Sequence, residues 1–238
     1  MTRIAGSKKL KRQMAPMFWG ILRKRPRFVT TVRPGPHSKH FSIPTAVFLR
    51  DTLKLVTTAR EAYYAIYNGK VKIDGVKRKS IHHGIGLMDV IELDGVSDIY
   101  RLVPKQGHLL EPIKINSSEK SIKLVKVTSK TTIKKGKLQL GFHDGRSLIS
   151  DIDASVGDSC VIQVPEQKIN DVLNLKEGVK VIVTKGINAG QVAEVKEIKE
   201  GTFVLPKRVL LSLEQKEIEI PADLVMVVGK KEPVIQIA

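Results

Sequence analysis

Twelve cations, Arg3, Lys8, Lys9, Lys11, Arg12, Arg23, Lys24, Arg25, Arg27, Arg33, Lys39 and Arg50, precede the first acidic side chain, Asp51. Side chains of one sign at this density repel one another in an isolated chain, and a polyanion laid along them relieves the repulsion. The chemistry such ammonium and guanidinium groups do is phosphate contact, with release of the counterions condensed on the partner. A basic tail that only kept the protein soluble would not need a dozen cations without one counter-charge. A membrane surface also attracts such a segment, but no amphipathic apolar face of useful length accompanies it. The composition points to nucleic acid.

Catalysis would require a constellation, and none assembles. His82 and His83 are neighbours that point apart in a strand, with no nearby Cys or third His to complete a metal site, so a surface pair is expected. His143-Asp144 has the residue types of a base and its orienter. Adjacent residues rarely share that geometry, however, and residues 143–146 read better as a tight turn. No Gly-x-x-x-x-Gly-Lys-Ser/Thr loop is present to cradle a nucleotide phosphate. No catalytic residue, metal, cofactor or small-molecule substrate is expected.

The net charge of +17 is unevenly spread over the 238 residues: positions 1–105 hold 21 Lys and Arg against 7 Asp and Glu, the remainder 20 against 17. The front half therefore carries the charged partner. A hydrophobic content of 42% supports packed cores, and the length implies two or three small domains. Cys160 is the one cysteine, which excludes an intrachain disulfide and fits a reducing compartment. The apolar run 17–22 is too short for a signal-peptide core and is followed by Arg23-Lys24-Arg25, and no other run approaches a membrane span. A cytoplasmic protein with no membrane partner is expected.

The elements that position these cations can be read in order. Residues 1–42 form a basic arm without a core of its own, broken by Pro16, Pro26, Pro34 and Pro36 and extended over 33–37. Such an arm would be mobile alone and ordered on RNA, with Trp19 or Phe18 set against a base or a neighbouring domain. A helix then follows Ser42-Ile43-Pro44, with Ala46, Leu49, Leu53 and Val56 on one face and Arg50 and Lys54 on the other. A second helix opens on the capping box Thr58-Ala59-Arg60-Glu61, buries Ala59, Ala62, Tyr63 and Ile66, and ends at Asn68-Gly69. Arg60, Tyr64 and Tyr67 stay outside.

Asp74-Gly75 marks a two-residue hairpin turn, which sets Ile73 opposite Val76, Lys72 opposite Lys77 and Lys70 opposite Lys79. Four lysines then share one face. Directly opposed like charges cost up to about 1 kcal/mol per pair unless an anion covers them. The second half is richer in short alternating runs and should be mostly strand. Residues 106–170 contain several short strands and a second basic stretch from Lys120 to Lys137.

The order of short helix, capped helix with Thr57-Thr58-Ala59-Arg60-Glu61-Ala62, then Asn68-Gly69-Lys70-Val71-Lys72-Ile73-Asp74-Gly75, then Asp89-Val90-Ile91 resembles the alpha-L type RNA-binding motif. The glycine-bounded turn 184–190 between alternating strands resembles the KOW motif, although Glu194, Glu197 and Glu200 leave its second strand acidic. Together with Leu10-Lys11-Arg12, Ala15-Pro16, Trp19, Gly35-Pro36-His37, Phe48-Leu49-Arg50, Met88-Asp89-Val90-Ile91 and His143-Asp144-Gly145-Arg146, these segments resemble, along the whole length, the S-four-e family of the small ribosomal subunit. Without a long basic C-terminal extension, the resemblance is to its archaeal members.

The resemblance implies an α+β multidomain fold: an N-terminal arm (1–42), a small α/β alpha-L RNA-binding domain (43–105), a central β-rich domain (106–170) and a KOW-like, SH3-like β-barrel with C-terminal strands (171–238). It implies a structural constituent of the small subunit, with small-subunit ribosomal RNA and neighbouring subunit proteins as partners. The expected RNA contacts are Lys8, Lys9, Lys11, Arg12, Trp19, Arg23, Arg25, Arg27, Arg33, His37, Lys39, Arg50, Lys54, Arg60, Tyr64, Lys70, Lys72, Lys77, Arg78, Lys79 and Lys185. The rival readings are an RNA-modifying enzyme built on the same module and a transcription elongation factor.

Overall fold

A computed structural model describes residues 9–106, 108–150, 152–213 and 216–237. Lys8, one of the expected RNA contacts, lies outside the described residues.

The arm departs from the expectation of an extended, coreless segment. Leu10–Lys11 pairs antiparallel with Phe28–Val29, which folds the intervening chain back on itself through the 3-10 turns Arg12–Met14 and Met17–Trp19. Leu10, Ala15, Trp19, Ile21 and Val32 thereby enter the core that also holds Phe48, Leu49, Ala62, Ile66 and Ile73. The physical reason is apolar burial. Trp19 alone removes a large surface from water, and this holds the prolines and cations of the arm against the next unit.

Helix α1, Thr45–Val47, runs directly into a π-helical stretch, Phe48–Thr52, with Val47 and Phe48 fully buried beside Ala46 and Leu49. Pro44 sits just before it, and Ile43–Pro44 pairs with Gly84–Ile85. Helix α2, Ala59–Tyr67, carries the expected capping box: Glu61 N–H donates to Thr58 Oγ1 at 3.2 Å, and the Glu61 carboxylate accepts from Thr58 N–H at 3.3 Å. Its buried face is narrower than the spacing predicts. Of the four residues expected inside, Ala62 and Ile66 are buried, whereas Ala59 and Tyr63 are exposed.

Three five-stranded antiparallel sheets follow. In hydrogen-bonded order the first is Val76–Lys77, Val71–Ile73, Val90–Leu93, Ile99–Lys105 and His108–Ile115. The central sheet is Ser147–Ile149, Leu138–Phe142, Ile122–Thr132, Ser159–Gln163 and Lys168–Leu173, and the last is Glu217–Pro221, Arg208–Ser212, Val192–Lys199, Lys180–Val183 and Val225–Gly229. The first sheet runs past position 105, because Leu102 pairs with Pro112, and the central sheet runs past 170 to Leu173. Helix is a minor part of this α+β fold.

Strand Ile122–Thr132 is the spine between the units. Its alternation sends Val125 and Val127 into the core of the central sheet and Leu124 into the core of the last sheet, which also takes in Met88. Lys126 shares the Leu124 side, and its Nζ donates to the carbonyls of Ala222, Asp223 and Val225 at 2.7, 3.0 and 2.7 Å. Burial pushes this ammonium down to about 8.

Candidate nucleic-acid interface

The hairpin has the expected register next to its turn, while Lys70 and Lys79 lie outside the paired strands. Lys72 faces Lys77 and Ile73 faces Val76, across a turn whose two residues, Asp74 and Gly75, take φ of +51° and +74°. Both positive values are what a type I′ turn demands. Lys77 and Lys79 lie over the C-terminal end of α2: a Cβ at Gly69 would stand 3.6 Å from Lys77 Cδ and 4.0 Å from Lys79 Cε. Lys72 has a second neighbour that the hairpin alone did not reveal, Glu92 on the adjoining strand.

On the outer side of α2, Tyr63, Tyr64 and Tyr67 are exposed, and the rings of Tyr63 and Tyr67 stack at 5.7 Å between centroids and 13° between planes. Beside α1, Arg25, Arg50, Lys54 and Arg12 line a groove of about 440 Å³ where the arm meets the helices. Across the arm, helices and hairpin, Lys11, Arg25, Arg27, Arg33, Lys39, Lys54, Arg60, Lys70, Lys72, Lys77 and Lys79 have no carboxylate partner among the described residues. All but the half-buried Lys72 are exposed. Lys9 is exposed too, its ammonium and the Arg27 guanidinium each 5.5 Å from the Phe28 ring centre.

The last sheet is organised in the opposite way. Lys196 pairs with Glu217, Lys199 with Glu219 at 3.3 Å, Arg208 with Glu219 at 2.5 Å and Lys207 with Glu200 at 2.7 Å. Its cations are largely neutralised by the protein itself.

Several expected RNA contacts are placed elsewhere. Trp19 is 1% exposed and its Nε1 donates to Ser42 O at 2.9 Å, so no face of the indole is available to a base. Arg12 is buried, donating to Pro26 O and Leu22 O, and Arg23 gives Nη1 to the carbonyls of Arg12, Gln13 and Ala15. These two arginines clasp the arm's own backbone. Arg50 is paired with Asp51 at 2.6 Å. Lys185 sits 3.6 Å over the Phe41 ring, and its turn packs on the first sheet: a Cβ at Gly190 would meet Pro104 O at 2.5 Å. His82 and His83 lie at a turn rather than in a strand, and both are half-buried.

His37 belongs to a buried network that sequence reasoning missed, and Arg78 borders it. Lys123 Nζ reaches Asp89 at 2.5 Å, Asp74 at 2.7 Å and Asp144 at 3.1 Å, and Arg146 reaches Asp74 at 2.5 Å. His37 Nε2 lies 3.0 Å from both Asp89 oxygens, its ring pressed against Gly86, where a Cβ would clash at 2.3 Å. Arg78, half-buried, lines the adjoining polar cavity of about 440 Å³ with His83 and Arg146. Burial opposes ionisation here, yet His37 and Lys123 hold the Asp89 carboxyl far below its usual range, and the three aspartates hold Lys123 above its own. Partners 34 to 72 residues apart leave no sequence spacing to find. His143, beside this network, accepts from Lys126 N–H at Nδ1 and donates from Nε2 to Leu87 O; it is not aimed at Asp144 as a catalytic pair would be.

Two family sequence models match the chain: the RS4NT (NUC023) domain over residues 5–40 and Ribosomal family S4e over residues 96–169. The Small ribosomal subunit protein eS4 of Ignicoccus hospitalis is 36% identical over 252 aligned residues, covering 100% of this chain and 98% of that protein. The chain belongs to the ribosomal S4e family. The eS4 protein of Korarchaeum cryptofilum is 38% identical over 240 residues, covering 100% of both. Among solved structures, the 30S ribosomal protein S4e of Thermoplasma acidophilum matches with a TM-score of 0.68 at 33% identity, covering 79% of this chain and 95% of that one.

Proposed function

We propose that this S4e protein docks on small-subunit ribosomal RNA through the arm, the α1–α2 pair and the lysine hairpin, and meets neighbouring subunit proteins through its later sheets. The protein is a structural constituent of the small ribosomal subunit rather than an enzyme, as its relatives' names and family indicate. In this reading residues 43–105 act as an alpha-L unit extended by the arm, and residues 171–238 as a KOW-like unit turned mainly toward protein. One observation carries it: Lys11, Arg25, Arg27, Arg33, Lys39, Lys54, Arg60, Lys70, Lys72, Lys77 and Lys79 have no carboxylate partner among the described residues, while Lys196, Lys199, Lys207 and Arg208 of the last unit are paired with glutamates. Unpaired cations in fixed array bind phosphates by releasing counterions, and helix and hairpin hold them at the spacing of a folded RNA surface.

The test is charge reversal in a ribosomal RNA binding assay. Reversing Arg50, Lys54, Arg60, Lys70, Lys72, Lys77 and Lys79 to Glu should weaken binding by roughly 100-fold or more, and reversing Lys176, Lys180, Lys196, Lys199, Lys207, Arg208 and Lys216 by far less. Equal losses would remove the asymmetry. A tagged copy should also sediment with small subunits.

A further inference from the structure

The hairpin joining Val192–Lys199 to Arg208–Ser212 ends in an apolar tip that the RNA-binding reading leaves unused. Phe203 is fully exposed, Val204 is 83% exposed and Leu205 is 45% exposed. The tip is a built turn: Thr202 N–H donates to Leu205 O at 2.8 Å, and Leu205 N–H donates to Thr202 Oγ1 at 3.2 Å. Phe203 and Val204 lie between these two closures and are held away from the sheet, whose core takes Val209 and Leu211 instead. An aromatic and a β-branched side chain displayed together on a closed turn are costly to hydrate and already ordered for burial elsewhere.

We propose that residues 202–205 form a plug that inserts into an apolar pocket on a neighbouring protein of the small subunit. This rests on the reading of the chain as a small-subunit constituent. Charge decides between protein and RNA as the occupant. Between positions 192 and 221 stand six carboxylates, Glu194, Glu197, Glu200, Glu214, Glu217 and Glu219, against five cations, Lys196, Lys199, Lys207, Arg208 and Lys216. Lys207, next to the tip, is paired with Glu200, and Lys199 and Arg208 at the strand ends are both paired with Glu219. A phosphate backbone approaching the tip would meet carboxylates and no unpaired cation on these strand ends, whereas a protein pocket with an apolar floor and a mixed polar rim fits both the side chains and the balanced charges around them. The tip is an anchor of the kind that concentrates interface energy in one or two residues.

A full-length chain with Phe203 replaced by photoreactive benzoylphenylalanine tests this in sedimented small subunits. Irradiation should join the chain to one subunit protein, and adding Val204→Asp should abolish that product. In cells making both forms, F203D should enter subunits about tenfold less than the unaltered chain, as loss of one core anchor implies. Its melting temperature should not move, because the side chain touches no core. Cross-linking to RNA, or no cross-link in subunits that do contain the chain, overturns the plug while leaving subunit membership intact. A chain absent from subunits overturns membership and the plug with it.

Discussion

Trp19 shows how a residue type with two uses is decided by what surrounds it. An indole flanked by Met17, Phe18 and a run of cations suits base stacking, but its Nε1–H finds Ser42 O and its rings join the core of the helical unit. Trp19→Ala should cost about 3–5 kcal/mol in denaturant unfolding, the range for truncating a large buried aromatic. A cost below 1 kcal/mol would mean that the arm is not part of the core. His143 is the second decided residue. Its Nδ1 must be unprotonated to accept from Lys126 N–H, and burial, then the charge of Lys123, push it down to about 4 from 6.5. The unfolded chain therefore takes up this proton first as pH falls. Stability should be fully present above about 6.5 and decline toward pH 4, by roughly 2–3 kcal/mol in all. Asp89 and Asp144, held below their ordinary range, extend the loss at lower pH. Urea titrations at pH 7, 5.5 and 4.5 measure this, and a flat profile over that interval that H143Q does not alter would refute it.

At the scale of elements, local signals were sufficient where both halves of an interaction lie close in sequence. The capping box of α2 and the register of the Asp74-Gly75 hairpin are cases in which propensity and turn geometry leave one solution. They were insufficient for which face of α2 is buried: Tyr63 has the spacing of a core position, but where α2 packs on α1 and the π-helical stretch it is Ala62 and Ile66 that enter the core. The boundaries at 105 and 170 slipped for a related reason, since alternation marks a strand without saying which sheet it joins. Lys123, placed between Asp74 and Asp89 of the first sheet and Asp144 of the central one, joins the two together with Arg146, which reaches Asp74. Lys123→Met should destabilise by about 3–5 kcal/mol, because three buried carboxylates lose the ammonium they share and keep only His37 and Arg146. Adding D89N and D74N should recover part of the loss in the same unfolding assay; no recovery would show that the lysine acts by packing alone.

At the scale of the whole molecule, the charge is unevenly divided. Many cations of the front half, Lys54, Arg60, Lys70, Lys77 and Lys79 among them, stand exposed without a carboxylate partner among the described residues, whereas Lys196, Lys199, Lys207 and Arg208 are closed by glutamates, so long-range attraction draws one side toward a polyanion. If about 6 to 10 phosphates are contacted, affinity for ribosomal RNA should fall by roughly three to five decades between about 50 and 200 mM salt. Titration at several salt concentrations checks this, and an affinity indifferent to salt would contradict it. The sequence by itself determined the charge asymmetry, the capped helix, the lysine hairpin and the family resemblance, because composition and short-range spacing survive without coordinates. Only the tertiary structure decided that Trp19, Arg12 and His37 turn inward, that a buried lysine links two sheets, and that an apolar tip stands out from the last one. Those outcomes depend on which surfaces meet across long sequence separations, where desolvation and packing choose the partner and no periodicity records the choice.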